Sequence, residues 1–453
     1  MIAALAWAAT ATAQAQDVIG DVPVDIVRYS LALRPDIRIG TVSGIEIVEF
    51  HAPAGATHVR FTANALAIED ASIDGKPVAA VTTEREVAFA LPTGSRGARR
   101  STLRVAFSGK PRRGLNAQSA AIYSSYFACD WMFCTQDAPG DKALFDLDLY
   151  LPVGSASVSV GRRLSDRAAG DGLTVHRWRA HRPEAAYLFG FAAAKALPSV
   201  ERQVGATRFT YVDATGTRAD LDRLFAETPA IAAFYAKVSG LPMPGARYVQ
   251  VLVNGQEAQE AAGFSLIGSA ALERDLGEPE TQWIIAHEMS HQWWGNLVTC
   301  STWQDFWLNE GFATFMTAAW KQRHFGESAY QAELDVARTR LKRAADLGYD
   351  KPLAWGGTYP SLTTRRAVQY GKGALFLDHL RTELGERAFW NGIRSYTRRF
   401  AGRTVRSADF QRSMADASGR DLRPIFAEWV YGVSGAELKT MPVSRTSASG
   451  TDR

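Results

Sequence analysis

Residues 281–294, TQWIIAHEMSHQWW, decide how the rest of the chain is read. The stretch predicts a buried amphipathic helix. Residues four apart on a helix share a face, with Cβ atoms about 5 to 6 Å apart, so His287 and His291 can aim imidazole nitrogens at one ion. Glu288 lies one position round, within reach of a water at that ion without being a ligand. The pattern is His-Glu-x-x-His. The bland alternative is two core or surface histidines beside an unrelated glutamate, and the next segment argues against it. Glu310, in Trp307-Leu-Asn-Glu-Gly-Phe-Ala313, offers a third ligand from a second helix, with apolar partners around both pieces. A carboxylate in such a core without a cation would carry a large desolvation cost. Two histidines and one glutamate leave tetrahedral zinc an open fourth position, as in catalytic sites. One zinc per chain is expected, and a water there can lose its proton near neutral pH.

Outward from this stretch the periodicity changes. From about Asp17 to Val212 it is two: Val27, Tyr29, Leu31 and Leu33, then Leu103, Val105 and Phe107, then Phe145, Leu147, Leu149 and Leu151. Turn signals such as Asp74-Gly75 separate the runs, so residues 17–212 predict a mostly antiparallel β domain. Residues 213–440 predict a mainly helical domain with a small sheet: helical from Arg218 to Ser239, one strand from Tyr248 to Asn254, then helical to about Gly432. The fold class is α+β. Residues 441–453, rich in Ser and Thr, predict a disordered tail.

The length of 453 residues exceeds a single core and fits two domains. Apolar residues at 46% and charged residues at 22% are those of a soluble globular chain, and no stretch suits a membrane span. The net charge is only +4. The arginine-rich stretches Arg96 to Arg113 and Arg394 to Arg406 read as solvated faces, so nucleic acid is not an expected partner. Residues 1–15, MIAALAWAATATAQA, end in a small-x-small site and predict a signal peptide, hence export to the periplasm or beyond, although a basic n-region is missing. Cys129 and Cys134 either close a small disulfide or remain buried thiols, and with Cys300 they lack zinc-site spacing. Nothing in the sequence sets an oligomeric state.

The run His287-Glu-Met-Ser-His-Gln-Trp-Trp-Gly-Asn296, followed by Trp303-Gln-Asp-Phe-Trp-Leu-Asn-Glu-Gly-Phe-Ala313, resembles the gluzincin zinc metallopeptidases that include aminopeptidase N and leukotriene hydrolase. The eighteen residues between His291 and Glu310 match that family's spacing. Tyr370-Gly-Lys-Gly373 resembles its tyrosine motif, and Phe426-Ala-Glu-Trp-Val430 the end of its catalytic domain. Gln136, in Thr135-Gln-Asp137, resembles a glutamine at the edge of its β domain and is expected, with Glu260, to bind substrate. The likeness spans nearly the whole chain and implies a saddle-like β domain followed by a thermolysin-like one.

It also implies roles. His287, His291 and Glu310 would hold zinc, Glu288 would move the water proton, and Tyr370 would donate a hydrogen bond to the oxyanion. The family's ammonium-binding motif Gly-x-Met-Glu-Asn corresponds here to Glu257-Ala-Gln-Glu-Ala-Ala-Gly263, which keeps Glu260 and loses the glycine, methionine and asparagine. The implied activity is aminopeptidase action on peptides. An endopeptidase, an epoxide-type hydrolase or a zinc-binding protein without turnover are the alternatives, and Glu260 pairing with an arginine is its structural one. Thr314 is read as support for a ligand or as packing. The chain ends soon after the catalytic segment, before the large helical C-terminal domain of many members. A more open cleft, or one covered by a partner subunit, is expected.

Overall fold

The computed structural model describes residues 22–92, 98–118, 121–277 and 283–432. The expected signal segment 1–15 and tail 441–453 lie outside the described residues. The period-two runs pair into one large sheet, in spatial order Arg162–Gly170, Leu173–Arg179, Lys142–Pro152, Asp25–Pro35, Val42–Ala52, Arg99–Gly109, Ala67–Ile73 and Lys76–Pro77. Tyr29, Leu31, Leu33, Leu103, Val105, Phe107, Phe145, Leu147, Leu149 and Leu151 face its core. Val27 does not, because a bulge between Ile26 and Arg28 turns Ile26 inward instead. One junction departs from the antiparallel expectation. Asp25–Pro35 runs parallel to Lys142–Pro152, across a long intervening segment of the kind a parallel pair needs. Asp74 and Gly75, at φ 51° and 77°, form the two-residue hairpin that the sequence signals.

A four-stranded sheet, Ala156–Ser159, Phe191–Ala194, Ala121–Ser124 and Leu115–Ala117, shares this core. Cys129 and Cys134 are joined as a disulfide, and Cys300 is a buried free thiol.

The helical domain is built on a sheet of Ser199–Val204, Thr207–Asp213, Arg247–Val253, Phe264–Gly268 and Ala258–Ala261, in that order. Its first strands therefore come from before residue 213, where the periodicity changes. Alternation along Arg247–Val253 assigns the faces: Val249, Val251 and Val253 join the β-domain core, while Tyr248 and Leu252 join the core under the helices. The hairpin Ala258–Ala261 and Phe264–Gly268 stands where continuous helix is expected. Phe264–Gly268 is buried throughout, so it shows no alternation to read. Trp307–Phe325, Glu327–Asp346, Gly373–Leu384, Glu386–Arg399 and Ser407–Ser418 form the helical layer. Among the described residues no helix is long and apolar enough to cross a membrane.

One acid lies inside the large sheet. Glu46 is fully buried, and its Oε2 accepts the Phe133 N–H at 2.8 Å. Burial pushes its carboxyl up to about 8, against the pull of the Phe133 bond. The folded protein therefore keeps a proton that the unfolded chain, near 4.5, releases. This contribution is complete below about pH 4.5 and is lost as pH rises through about 8. Within that window the slope approaches about 1.4 kcal/mol per pH unit at most. Glu46→Gln keeps an acceptor for Phe133 and removes the titration, so its urea midpoint should vary less with pH between about 5 and 8. Parallel midpoint-against-pH curves for the two proteins would contradict the neutral-acid assignment.

Candidate active site

The helix carrying the histidines is short, Ile284–Ser290, and every residue of it is buried. His291 continues its right-handed backbone at the C-terminal cap, φ −57° and ψ −23°. The expected helix to Trp294 stops there because the chain turns at Gly295, where φ is 138° and a Cβ would lie 3.0 Å from His291 Nδ1. That turn brings the Trp294 carbonyl to 3.1 Å from His291 Nδ1. An Nδ1–H donated there leaves Nε2 free to ligate.

Glu310 sits in the first turn of Trp307–Phe325. Its Oε2 lies 3.3 Å from His287 Nε2 and 3.5 Å from His291 Nε2. Tetrahedral zinc with bonds of about 2.0–2.1 Å sets its ligand atoms about 3.3 Å apart, so this spacing fits the ion. The donor set, two imidazoles and a carboxylate, fits it chemically. Glu288 also bears this out, since its Oε2 is buried without a hydrogen-bond partner.

Charge points the same way. Glu260, Glu288 and Glu310 are three buried carboxylates around the two imidazoles. Burial, with Glu260 and Glu310 nearby, raises Glu288 well above the usual carboxylate range, against the pull of His291. Burial works against charge on Glu310 too, but the two histidines hold its carboxyl low.

Tyr370 arrives on a segment that changes pitch. The helix Leu362–Arg366 passes into a π-helical turn, Ala367–Lys372, before Gly373–Leu384. Such turns occur often at functional sites. The Tyr370 ring is parallel to His287, with centroids 5.9 Å apart, and meets Phe306 edge-on at 6.4 Å. Its hydroxyl has no hydrogen-bond partner among the described residues and stays protonated. Burial, then the charges of Glu310 and Glu260, raise it well above the usual phenol value. Two glycines set its distance from Glu310. A Cβ on Gly311 would lie 2.8 Å from Gly373 Cα, and one on Gly373 would lie 2.7 Å from Gly311 Cα.

Glu260 lies on the edge strand Ala258–Ala261, 8% exposed. Among the described residues it has no arginine partner, which removes the structural alternative. Burial, with the Glu310 charge adding and that of His291 opposing, pushes it up to about 7. Its strand is held by residues to which sequence reading assigned no role. The Gln292 and Asn296 side-chain amides donate to the Ala261 carbonyl at 3.1 and 2.9 Å, and Gln292 Oε1 accepts the Gly263 N–H at 3.0 Å. Both lie within the quoted motif, so the signal was present.

Gln136 lies at the margin of the β domain, and its Oε1 is buried without a hydrogen-bond partner. Its Nε2 donates to the Tyr126 carbonyl at 3.2 Å and its own carbonyl accepts the Trp303 indole. The side chain reaching the Glu260 strand is Tyr126, whose hydroxyl donates to the Ala258 carbonyl. Tyr126 has φ 51°, an uncommon backbone for a bulky residue, and no sequence signal marks it. Thr314 donates back to the Glu310 carbonyl at 2.8 Å, a local helix bond.

Here a His-Glu-x-x-His helix and a glutamate on the next helix converge on one point, the arrangement expected from the resemblance to the gluzincin zinc metallopeptidases. Residues 249–429 match the peptidase family M1 domain, and the chain is similar to relatives that include an aminopeptidase N. It is 31% identical over 170 residues to the leucyl aminopeptidase of Saccharolobus solfataricus, covering 37% of this chain and 21% of that protein. It is 32% identical over 171 residues to the aminopeptidase N of Streptomyces lividans, covering 37% and 20%. The matched stretch is thus about a fifth of those relatives' length. The crystal structure of an M1 zinc metallopeptidase from Deinococcus radiodurans superposes with a TM-score of 0.73 at 23% identity, covering 91% of this chain and 95% of that one. That likeness extends the shared fold over both domains.

Gly373→Ala should therefore separate the Glu310 helix from Tyr370, because neither backbone can yield at the contact. A destabilisation of about 1–3 kcal/mol, as overpacking typically costs, should accompany weaker zinc retention during dialysis. Wild-type melting and zinc retention in the variant would show that the crossing has slack.

Proposed function

We propose that the protein is a zinc-dependent aminopeptidase that removes N-terminal residues from oligopeptides. The observation that carries this is the convergence of His287, His291 and Glu310 on one point, with Glu288, Tyr370 and Glu260 ranged around it. One zinc per chain, held by His287, His291 and Glu310, would supply Lewis acidity to the scissile carbonyl and to the attacking water. Glu288 takes the proton of that water on its unpartnered carboxylate oxygen and returns it to the leaving amine. Tyr370 donates its hydroxyl hydrogen to the carbonyl oxygen as negative charge gathers there. Glu260, without a protein cation, accepts the substrate's α-ammonium group and sets the first peptide bond in register. Gln136, whose Oε1 is buried without a hydrogen-bond partner, is read as a further substrate contact.

Export to the periplasm or beyond is part of the same reading. It is supported by the small-x-small site at Ala13-Gln14-Ala15 and by the Cys129–Cys134 disulfide, which suits an oxidising compartment.

Glu288→Gln should keep its zinc and lose at least about 10² to 10⁴ in turnover number, whereas His291→Ala should lose metal and activity together. Elemental analysis beside steady-state rates separates the two, and near-normal turnover by Glu288→Gln would rule out its role. The ammonium site is read by cleaving one peptide in free and N-acetylated forms. The wild type should prefer the free form by about tenfold or more, and Glu260→Ala should erase most of that preference. Equal cleavage of both forms by the wild type would replace the aminopeptidase reading with an endopeptidase one.

A further inference from the structure

Arg366 ends the helix Leu362–Arg366, one turn before Tyr370, and its guanidinium carbon lies 6.0 Å from the Tyr370 ring centroid. It is exposed, and among the described residues it has no carboxylate partner. Many other arginines of this surface do: Arg338 pairs with Asp335, Arg163 with Asp166 and Arg399 with Asp416. The adjacent Arg365 is engaged differently, lying 4.7 Å over the Phe306 ring. Arg366 is the more exposed of the pair, and its planar fork of donors meets no carboxylate among the described residues.

It stands over the ring of the proposed oxyanion donor, on a different element from the Glu260 strand Ala258–Ala261. Among the described residues the centre thus has a carboxylate at Glu260 with no arginine or lysine partner and a guanidinium beside Tyr370 with no carboxylate partner. If Glu260 takes the ammonium end and Tyr370 the first carbonyl, the chain beyond the cut bond passes toward Arg366.

We propose that Arg366 binds a substrate carboxylate on the leaving side of the scissile bond, so that the protein favours short peptides with a free carboxylate there. This rests on the aminopeptidase reading for its direction along the peptide, but not for the carboxylate contact itself. A guanidinium and a carboxylate make two parallel charge-assisted hydrogen bonds, which a lysine ammonium reproduces only in part. The carboxylate is either the C-terminus of a di- or tripeptide or an acidic side chain after the bond.

The test measures binding as well as turnover. Zinc-loaded Glu288→Gln is titrated calorimetrically with Ala-Ala-Ala, its C-terminal amide, and the amides of Ala-Glu-Ala and Ala-Gln-Ala, with and without Arg366→Gln or Arg366→Lys. With Arg366 present, the carboxylate-bearing member of at least one pair should bind about tenfold tighter, less so at high salt. Arg366→Gln should bring that ratio close to one, and Arg366→Lys should restore part of it. In the protein with Glu288 intact, the same ratio should appear in KM and not in kcat. A preference in the first pair identifies the C-terminal carboxylate and one in the second an acidic side chain, and either supports the contact. Equal binding within both pairs, or a preference that survives Arg366→Gln undiminished, overturns it. A binding preference that depends on Arg366 without cleavage of any peptide would support the contact and count against the aminopeptidase reading instead.

Discussion

Gly311 and Gly373 touch backbone to backbone, and the position of the reactive groups depends on that contact. Gly311 follows the ligand Glu310, and Gly373 follows the turn that carries Tyr370. A side chain on either would lie within 3 Å of the other's Cα. Glycine here serves close approach, since neither residue has a left-handed backbone. Because the helices meet this closely, the Glu310 carboxylate can stand beside both imidazoles while Tyr370 lies against His287. A wider crossing would leave room for water between ligand and oxyanion donor, and the low-dielectric setting that strengthens both would be lost.

The two domains meet through the same centre. Tyr187 of the β domain accepts the Asn309 amide at 2.9 Å and donates to the Gly295 carbonyl at 3.3 Å, so one hydroxyl joins the Glu310 helix to the turn after His291. Lys142 reaches the Asn296 carbonyl at 2.9 Å. Tyr126 and Asn296 both end on the strand that bears Glu260. The β domain therefore acts as a fixed wall for the site, which agrees with the sharing of the Arg247–Val253 strand between the two cores.

Within the centre, charge explains which residues stand apart. Among the described residues the acids facing the proposed ion have no ion-pair partner but the histidines, whereas acids elsewhere, such as Asp130 and Glu333, pair with arginine or lysine. An acid kept without a partner in a site is available to something that arrives. Glu260 and Arg366, of opposite sign, are the two such groups that a zwitterionic peptide would address.

The convergence of His287, His291 and Glu310 was legible in the sequence because it depends on local periodicity: one helical turn separates His287 from His291, and apolar neighbours mark Glu310 as buried. The two-domain division was legible for the same reason, since a period of two and a period of 3.6 differ over any long window. Tertiary structure alone decided what depends on residues distant in the chain. The hairpin holding Glu260 is buried on both faces and shows no period, so only its pairing with Arg247–Val253 reveals it. Tyr126 reaches the Glu260 strand through a backbone turn that composition does not encode. The parallel pairing of Asp25–Pro35 with Lys142–Pro152 joins segments more than a hundred residues apart. Periodicity records which face of an element is buried. It carries no information about which distant element covers that face, and in this protein that choice sets the distance between Glu310 and Tyr370.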